Sequence, residues 1–271
     1  MLGLGNSLVT GLVTGSVATP YNSLKSLSFG GTDEYVNVPD HINYTPNAGL
    51  AVGGAGSDRG FSISMWINLP AGVTSKFLVS KDPIYPQAHE WTTLTNFAGK
   101  AKFELYSTPN NSGTNLYNAV AKSFVFSTDT WYHVVWTWNL DSNSASNTTT
   151  GDIKLYIDGV NTAVDITKLG TFDYVKDSNK NLTFAKHSSS YSVVKLDEVA
   201  IFDDDLSQSK VTEYYNLGKP IDLAGQDFLH GYWRMGDGDS NAADGIIDSS
   251  TYANHGTMTN MEAGDIVTDA P

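Results

Sequence analysis

The stretch Asp237-Gly238-Asp239-Ser240-Asn241-Ala242-Ala243-Asp244-Gly245-Ile246-Ile247-Asp248 carries side-chain oxygens at loop positions 1, 3, 5 and 12, the spacing by which a helix-flanked loop encircles calcium. Ala242 stands where such a loop needs glycine, and Asp244 where an apolar residue is usual. With no helix pair around it, a solvated acidic turn is the simpler reading. Carboxylates also serve glycoside hydrolysis, which needs an acid and a second carboxylate flanking the scissile bond. Glu90, Glu104, Glu198 and Glu213 are scattered, so that chemistry is not expected. Asp203-Asp204-Asp205 precedes a helix-like stretch and reads as a turn whose charge favours the helix N-terminus. His133 and His187 lie in strand-like segments without a Ser and Asp partner pattern, which leaves no nucleophilic triad. Cysteine is absent, excluding disulfides, thiolate zinc sites and thiol nucleophiles.

Aromatic side chains are the better binding signal, because an exposed ring can stack on the apolar face of a sugar. Trp66, Tyr156 and Trp91 are the candidate carbohydrate-binding residues. If Phe61, Ile63 and Met65 face a core, Trp66 points the other way, and Tyr156 does so against Ile153, Leu155 and Ile157. A second layer over that outward face is the competing reading.

The elements that must carry these residues are strands. Alternation marks Ser26–Phe29, Glu34–Pro39, Phe61–Asn68, Lys76–Ser80, Ala101–Tyr106, Trp131–Trp138, Ile153–Ile157, Asn181–Ala185 and Val193–Phe202. Asp158-Gly159 is a favoured hairpin pair, so Thr162–Ile166 should return beside the strand before it. Pro83, Pro86 and Pro109 mark connections, and the polar stretches 47–60 and 141–151 read as loops. From Leu206 the period changes to that of one short helix, with Ser207 as N-cap and an end near Gly218 and Pro220.

At 271 residues and 40% hydrophobic content the chain can bury a large core, and one domain over residues 24–271 is expected. A formal charge of −13 disfavours nucleic acid and anionic membranes. No apolar run reaches the roughly 20 residues of a membrane span. Residues 1–23 repeat Leu-Val-Thr-Gly and carry no Lys or Arg before Pro20, which does not support a secretory signal and suggests a flexible arm. Leu2, Leu4, Leu8, Leu12 and Val13 would give that arm an apolar stripe for assembly with other subunits, including copies of itself.

In order, the Phe29-Gly30-Gly31-Thr32-Asp33-Glu34-Tyr35-Val36 opening, the Phe61–Ile67 strand, Trp131-Tyr132-His133-Val134-Val135, Leu155-Tyr156-Ile157-Asp158-Gly159 and Leu196-Asp197-Glu198-Val199 before Leu206-Ser207 resemble the laminin-G-like, concanavalin A-like lectin/glucanase superfamily. The resemblance covers about Ser26 to Pro220 and implies an all-β jelly-roll sandwich of two antiparallel sheets with one short helix. It also implies a sandwich-edge Ca²⁺ site using Asp197, Asp248 or Asn254, and backbone near Gly30. The Glu-X-Asp-X-X-Glu signature of glucanase relatives is missing, which leaves glycan hydrolysis a remote alternative. A tail element from Gly231 comes first in many members but last here, so residues 228–260 are expected to pack back into the sandwich. Units with this leader and tail resemble bacteriophage structural proteins. The resemblance therefore implies a non-enzymatic virion-surface protein, capsid decoration or tail fibre, anchored by its arm among other virion proteins. The alternative is an extracellular, calcium-dependent adhesion module binding host glycans.

Overall fold

The computed structural model describes residues 21–46, 60–81, 90–106, 116–139, 153–169, 175, 177–239 and 245–271. Its strands are β1 (Ser26–Gly30), β2 (Tyr35–Val38), β3 (Phe61–Asn68), β4 (Phe77–Lys81), β5 (Trp91–Thr95), β6 (Ala101–Tyr106), β7 (Leu116–Ala121), β8 (Tyr132–Trp138) and β9 (Ile153–Ile157). They continue as β10 (Val160–Thr162), β11 (Val164–Leu169), β12 (Leu182–Phe184), β13 (Lys186–His187), β14 (Ser190–Tyr191), β15 (Val193–Phe202), β16 (Leu229–Trp233), β17 (Thr257–Thr259) and β18 (Ile266–Val267). Among the described residues there is one α-helix, α1 (Gln208–Tyr215), capped by the Ser207 side chain.

Two antiparallel sheets face each other. One runs β10-β9-β8-β3-β15-β1-β18, with β16 also on β15, and the other runs β11-β7-β6-β5-β4-β12-β2-β17. This is the expected two-sheet jelly roll. Inward residues such as Phe61, Ile63, Met65, Phe103, Trp136 and Trp138 fill the space between the sheets, as period-two alternation demands.

A second, smaller core lies on the outer face of the first sheet. There Val135, Tyr156, Ala200, Phe202 and Tyr232 are covered by Leu206, Val211 and Tyr214 of the α1 region and by Leu223. The α1 period places Val211 and Tyr214 on the buried side. This layer is why β15 is buried on both faces along most of its length.

β15 is shared in sequence by two neighbours. Its first half pairs with β1 through Leu27↔Leu196 and Phe29↔Val194, and its second half pairs with β16 through Val199↔Trp233 and Ala200↔Tyr232. At the changeover the register with β3 slips between Asp197 and Ala200, and Glu198 takes a left-handed φ of 49°. The tail returns to the same body. β16 joins β15, β17 joins β2 and β18 joins β1.

One expected hairpin is divided. Residues 160–162 do return along β9, but after Ala163 the chain crosses to the other sheet, where β11 pairs with β7. Leu2, Leu4, Leu8, Leu12 and Val13 lie outside the described residues, as do 240–244 of the acidic loop.

Candidate binding site along the β16 edge

At the start of β16 the pairing with β15 slips between Ile201 and Phe202, so that Leu229 and Tyr232 both face the second core and His230 lies at the irregularity. Beside His230 stands Tyr252, 41% exposed, with ring centroids 4.8 Å apart. His41 closes on the same ring from the 3₁₀ turn Ile42–Tyr44, at 5.1 Å and 65°. The turn is fixed by the His41 Nδ1, which accepts from the Asn43 N–H. Tyr252 is held by Asp248, whose carboxylate accepts from the backbone N–H of Tyr232, Ser250 and Asn254 and from the Ser250 hydroxyl. Ile42, 51% exposed, extends this apolar surface. His41, Ile42 and Tyr252 therefore make an outward aromatic platform on a rigid turn.

Near the Tyr232 hydroxyl lies a groove of about 570 Å³ lined by Tyr21, Asn22, Asn216, Lys219, Pro220 and Ile221. The Tyr232 hydroxyl lies 3.4 Å from the Ile221 carbonyl oxygen and 3.1 Å from the Tyr21 hydroxyl. Both phenols donate to Glu198, and Arg234 Nε donates to Tyr21 at 2.9 Å. Asn216 ends α1 in a left-handed conformation. These contacts give the groove fixed walls.

Behind Tyr21 lies an adjacent pair of acids at the β15 fork. Burial pushes Glu198 up to about 7 against the pull of the Tyr21 and Tyr232 hydroxyls. Asp197, also desolvated and next to Glu198, is raised well above the usual carboxylate range. The pair is sealed, with Asp197 at 0% and Glu198 at 2% exposure. Ser23 donates to Asp197 at 2.7 Å, while Asp237 accepts from the Leu24 and Lys25 N–H groups. Residues 21–23, counted with the arm from sequence, are thus fastened to the sandwich by polar contacts that their local composition does not announce.

A second charged cluster braces the region around His41. Lys81, fully buried, places its ammonium 2.9 Å from Asp40, 2.9 Å from Glu90 and 3.2 Å from Asp177. Burial alone would lower its pKa, but Glu90 first and Asp40 next raise it above the ordinary lysine value. Asp40 adjoins His41, so the cluster ties the platform to the end of the β4–β5 hairpin.

The sequence-derived aromatic candidates are placed differently from expectation. Trp66 does face away from the main core, but Tyr215 of α1 stacks on it at 5.9 Å and leaves it 4% exposed. Tyr156 sits in the second core at 2% exposure. Trp91 is fully buried between the sheets, its indole N–H donating to the Tyr44 carbonyl at 2.7 Å. None of the three offers a ring face to a ligand.

The calcium set does not assemble either. Asp248 is filled by four N–H and O–H donors, and Asp197 accepts from Ser23 and the Glu198 N–H, so protons rather than lone pairs point at these oxygens. Gly30 pairs with Val193 in the sheet, and the Asn254 carbonyl accepts from Trp233. In the acidic loop, Asp239 accepts from the N–H groups of Gly236 and Ile247, as a turn organiser does. Among the described residues no group of three or more His, Asp or Glu is arranged to hold a metal ion. The sequence missed a buried Ser64–His133 contact of 2.9 Å, but burial lowers His133 to about 3 and leaves its Nδ1 without an orienting acid. That pair is a packing contact, roofed by Tyr215.

Two sheets in jelly-roll order with a roofed outer face define a lectin-type sandwich scaffold. The sequence profile described as the concanavalin A-like lectin/glucanases superfamily matches residues 30–212, and the chain belongs to that family. No curated protein matches it in sequence. Among solved structures, a candidate carbohydrate binding protein from Bacteroides ovatus ATCC 8483 superposes with a TM-score of 0.58 at 15% identity, over 89% of this chain and 60% of that one. This chain thus spans about 60% of that relative's length. A heptameric SAP-like pentraxin from Limulus polyphemus is similar at 13% identity and TM-score 0.43, over 71% and 82% of the two chains. The binding domain of botulinum neurotoxin serotype C1 is similar at 15% identity and TM-score 0.47, over 84% and 54%.

Proposed function

We propose that this chain is a non-catalytic carbohydrate-binding module whose contact surface is the His41–Ile42–Tyr252 platform. The observation that carries the reading is the exposed Tyr252 ring, fixed between two histidines on a turn that Asp248 organises. A half-exposed aromatic on a rigid support can stack on a pyranose face, while the partly exposed His41 supplies a polar contact to hydroxyls. A non-catalytic role is supported by the sealing of the Asp197–Glu198 pair behind Tyr21. The family membership and the Bacteroides ovatus relative agree with this class of ligand.

A glycan array tests it. The intact protein should bind a subset of glycans in EDTA as well as in calcium, and Tyr252→Ala should lose that binding while keeping the fold. Binding that survives Tyr252→Ala refutes the platform.

A second reading, display on a phage particle through the N-terminal arm, draws support from the fastening of residues 21–25, which would give an arm a firm base. Deleting residues 1–20 should then abolish particle incorporation. Normal incorporation of that variant removes the reading.

A further inference from the structure

We infer that Phe228 is a second stacking position beside the Tyr252 platform, so that the site takes an oligosaccharide of two or more rings and not a single sugar. This rests on the carbohydrate-binding reading and adds the length of the ligand and the residue that reads it. The segment from Asp248 to Tyr252 runs back along β16. Asp248 bridges to Trp233, the Ser249 N–H donates to the Tyr232 carbonyl at 2.7 Å, and the Ser250 hydroxyl reaches the His230 carbonyl at 3.5 Å. That course sets Tyr252 against His230 at the end where β16 begins, and Phe228 is the residue immediately before the strand. Direct contacts link the two positions. His230 Nε2 stands 3.5 Å from the Tyr252 hydroxyl and 3.9 Å from the Asp203 carboxylate, and the Asp203 N–H donates to the Phe228 carbonyl at 2.9 Å.

Phe228 is set apart by two observations that packing does not explain. Its side chain is 54% exposed, and its φ of 61° makes it the only aromatic among the described residues with a left-handed backbone. A bulky side chain is penalised in that conformation, which glycine or asparagine adopts more readily. An exposed ring recovers little of the penalty through burial, and strained positions of this kind gather at ligand sites. Among the described residues three aromatic rings are exposed, Phe97, Phe228 and Tyr252. Phe97 follows β5 and so lies at the opposite end of that strand from Glu90 and the His41 rim, which leaves Phe228 and Tyr252 together at the platform end. Between them Asp203, with 19% of its side chain exposed, offers a carboxylate that accepts from sugar hydroxyls. The surface therefore alternates ring, acceptor and ring, as a chain of sugars alternates apolar faces and hydroxyls.

The test measures binding of the full chain to neutral gluco-, galacto- and manno-oligosaccharides of one to four units. In the series that binds, affinity should rise by about threefold to tenfold once a second stacking contact is reached, the scale of one aromatic pair. Phe228→Gly should remove that gain, leave monosaccharide binding intact and hold or raise the urea midpoint, because it deletes the ring and relieves the backbone. Phe228→Tyr should keep the gain. Affinity that does not grow with length in the intact protein, or a Phe228→Gly variant that retains the growth, overturns the second position while Tyr252-dependent binding stands. A lowered urea midpoint with equal loss at every length makes Phe228 a packing residue and also overturns it. Absence of binding to every member of every series by the intact protein overturns the carbohydrate reading and the second position with it.

Discussion

Replacing Lys81 by methionine keeps most of the aliphatic stem and deletes the cation that three carboxylates share. Glu90, fully buried, would keep only Thr45 and Ser178 as side-chain donors, while Asp40 and Asp177, at 24% and 19% side-chain exposure, can turn toward water. Removing one partner of a buried pair costs about 3–5 kcal/mol, and relief at the two exposed acids places this variant near about 3 kcal/mol at pH 8. The loss should depend on pH. Glu90 is already pushed above its ordinary value by desolvation, against the Lys81 ammonium and its hydroxyl donors. Without Lys81 its folded pKa rises further. A raised carboxylate contributes stability that is present below its unfolded pKa and lost as pH climbs through the folded one, so the deficit should shrink by about 1–2 kcal/mol at pH 5. Lys81→Met/Glu90→Gln should recover most of it, leaving about 1 kcal/mol. Urea denaturation at pH 5 and pH 8 reads all three quantities. A single-variant loss below about 1 kcal/mol at pH 8, or one equal at both pH values, would refute the assignment of Lys81 as the charge that holds this rim.

Four further outcomes are expected. With Glu198 at about 7 when folded and nearer its ordinary value when unfolded, stability should fall as pH rises from 5 to 7, by up to about 2 kcal/mol, and Glu198→Gln should flatten that slope in chemical denaturation. Deleting residues 1–23 should cost about 2–3 kcal/mol more than deleting 1–20, because Tyr21 and Ser23 are donors to Glu198 and Asp197; equal melting temperatures would exclude that role. Asp248→Ala strips the 248–254 turn of its acceptor and should lower stability by about 3 kcal/mol and glycan binding together, read by denaturation and by array. Ser207→Ala removes the α1 cap and should cost about 1 kcal/mol without altering binding.

The strands were legible because alternation reports which residues share a face. Phe61–Asn68, Ile153–Ile157 and Val193–Phe202 lie where the pattern put them, and Ser207 caps the expected helix. What covers a face is not written in the strand itself. Trp66 was assigned the right direction, yet its exposure depends on Tyr215, far along the chain on α1. The crossing after Ala163 was equally hidden, because a strand that changes sheets keeps the same local period. Lys81 and Glu90 left a faint trace, as opposite charges at the two ends of one hairpin connection, but burial beside Asp40 and Asp177 needed the tertiary fold. Tyr252 left less, for its exposure follows from the Asx-type turn at Asp248 and from His41, remote in sequence.

The pairing of Ser26 with Val267 and of Leu27 with Ile266 lays the beginning of the sandwich directly against its end. A body whose ends are neighbours can be spliced into a surface loop of a host protein with little distortion of either partner. It also tolerates relocation of the opening. A circularly permuted chain, joined across β1 and β18 and cut in the exposed 127–130 turn, should retain every strand pair described here, including the β15 fork.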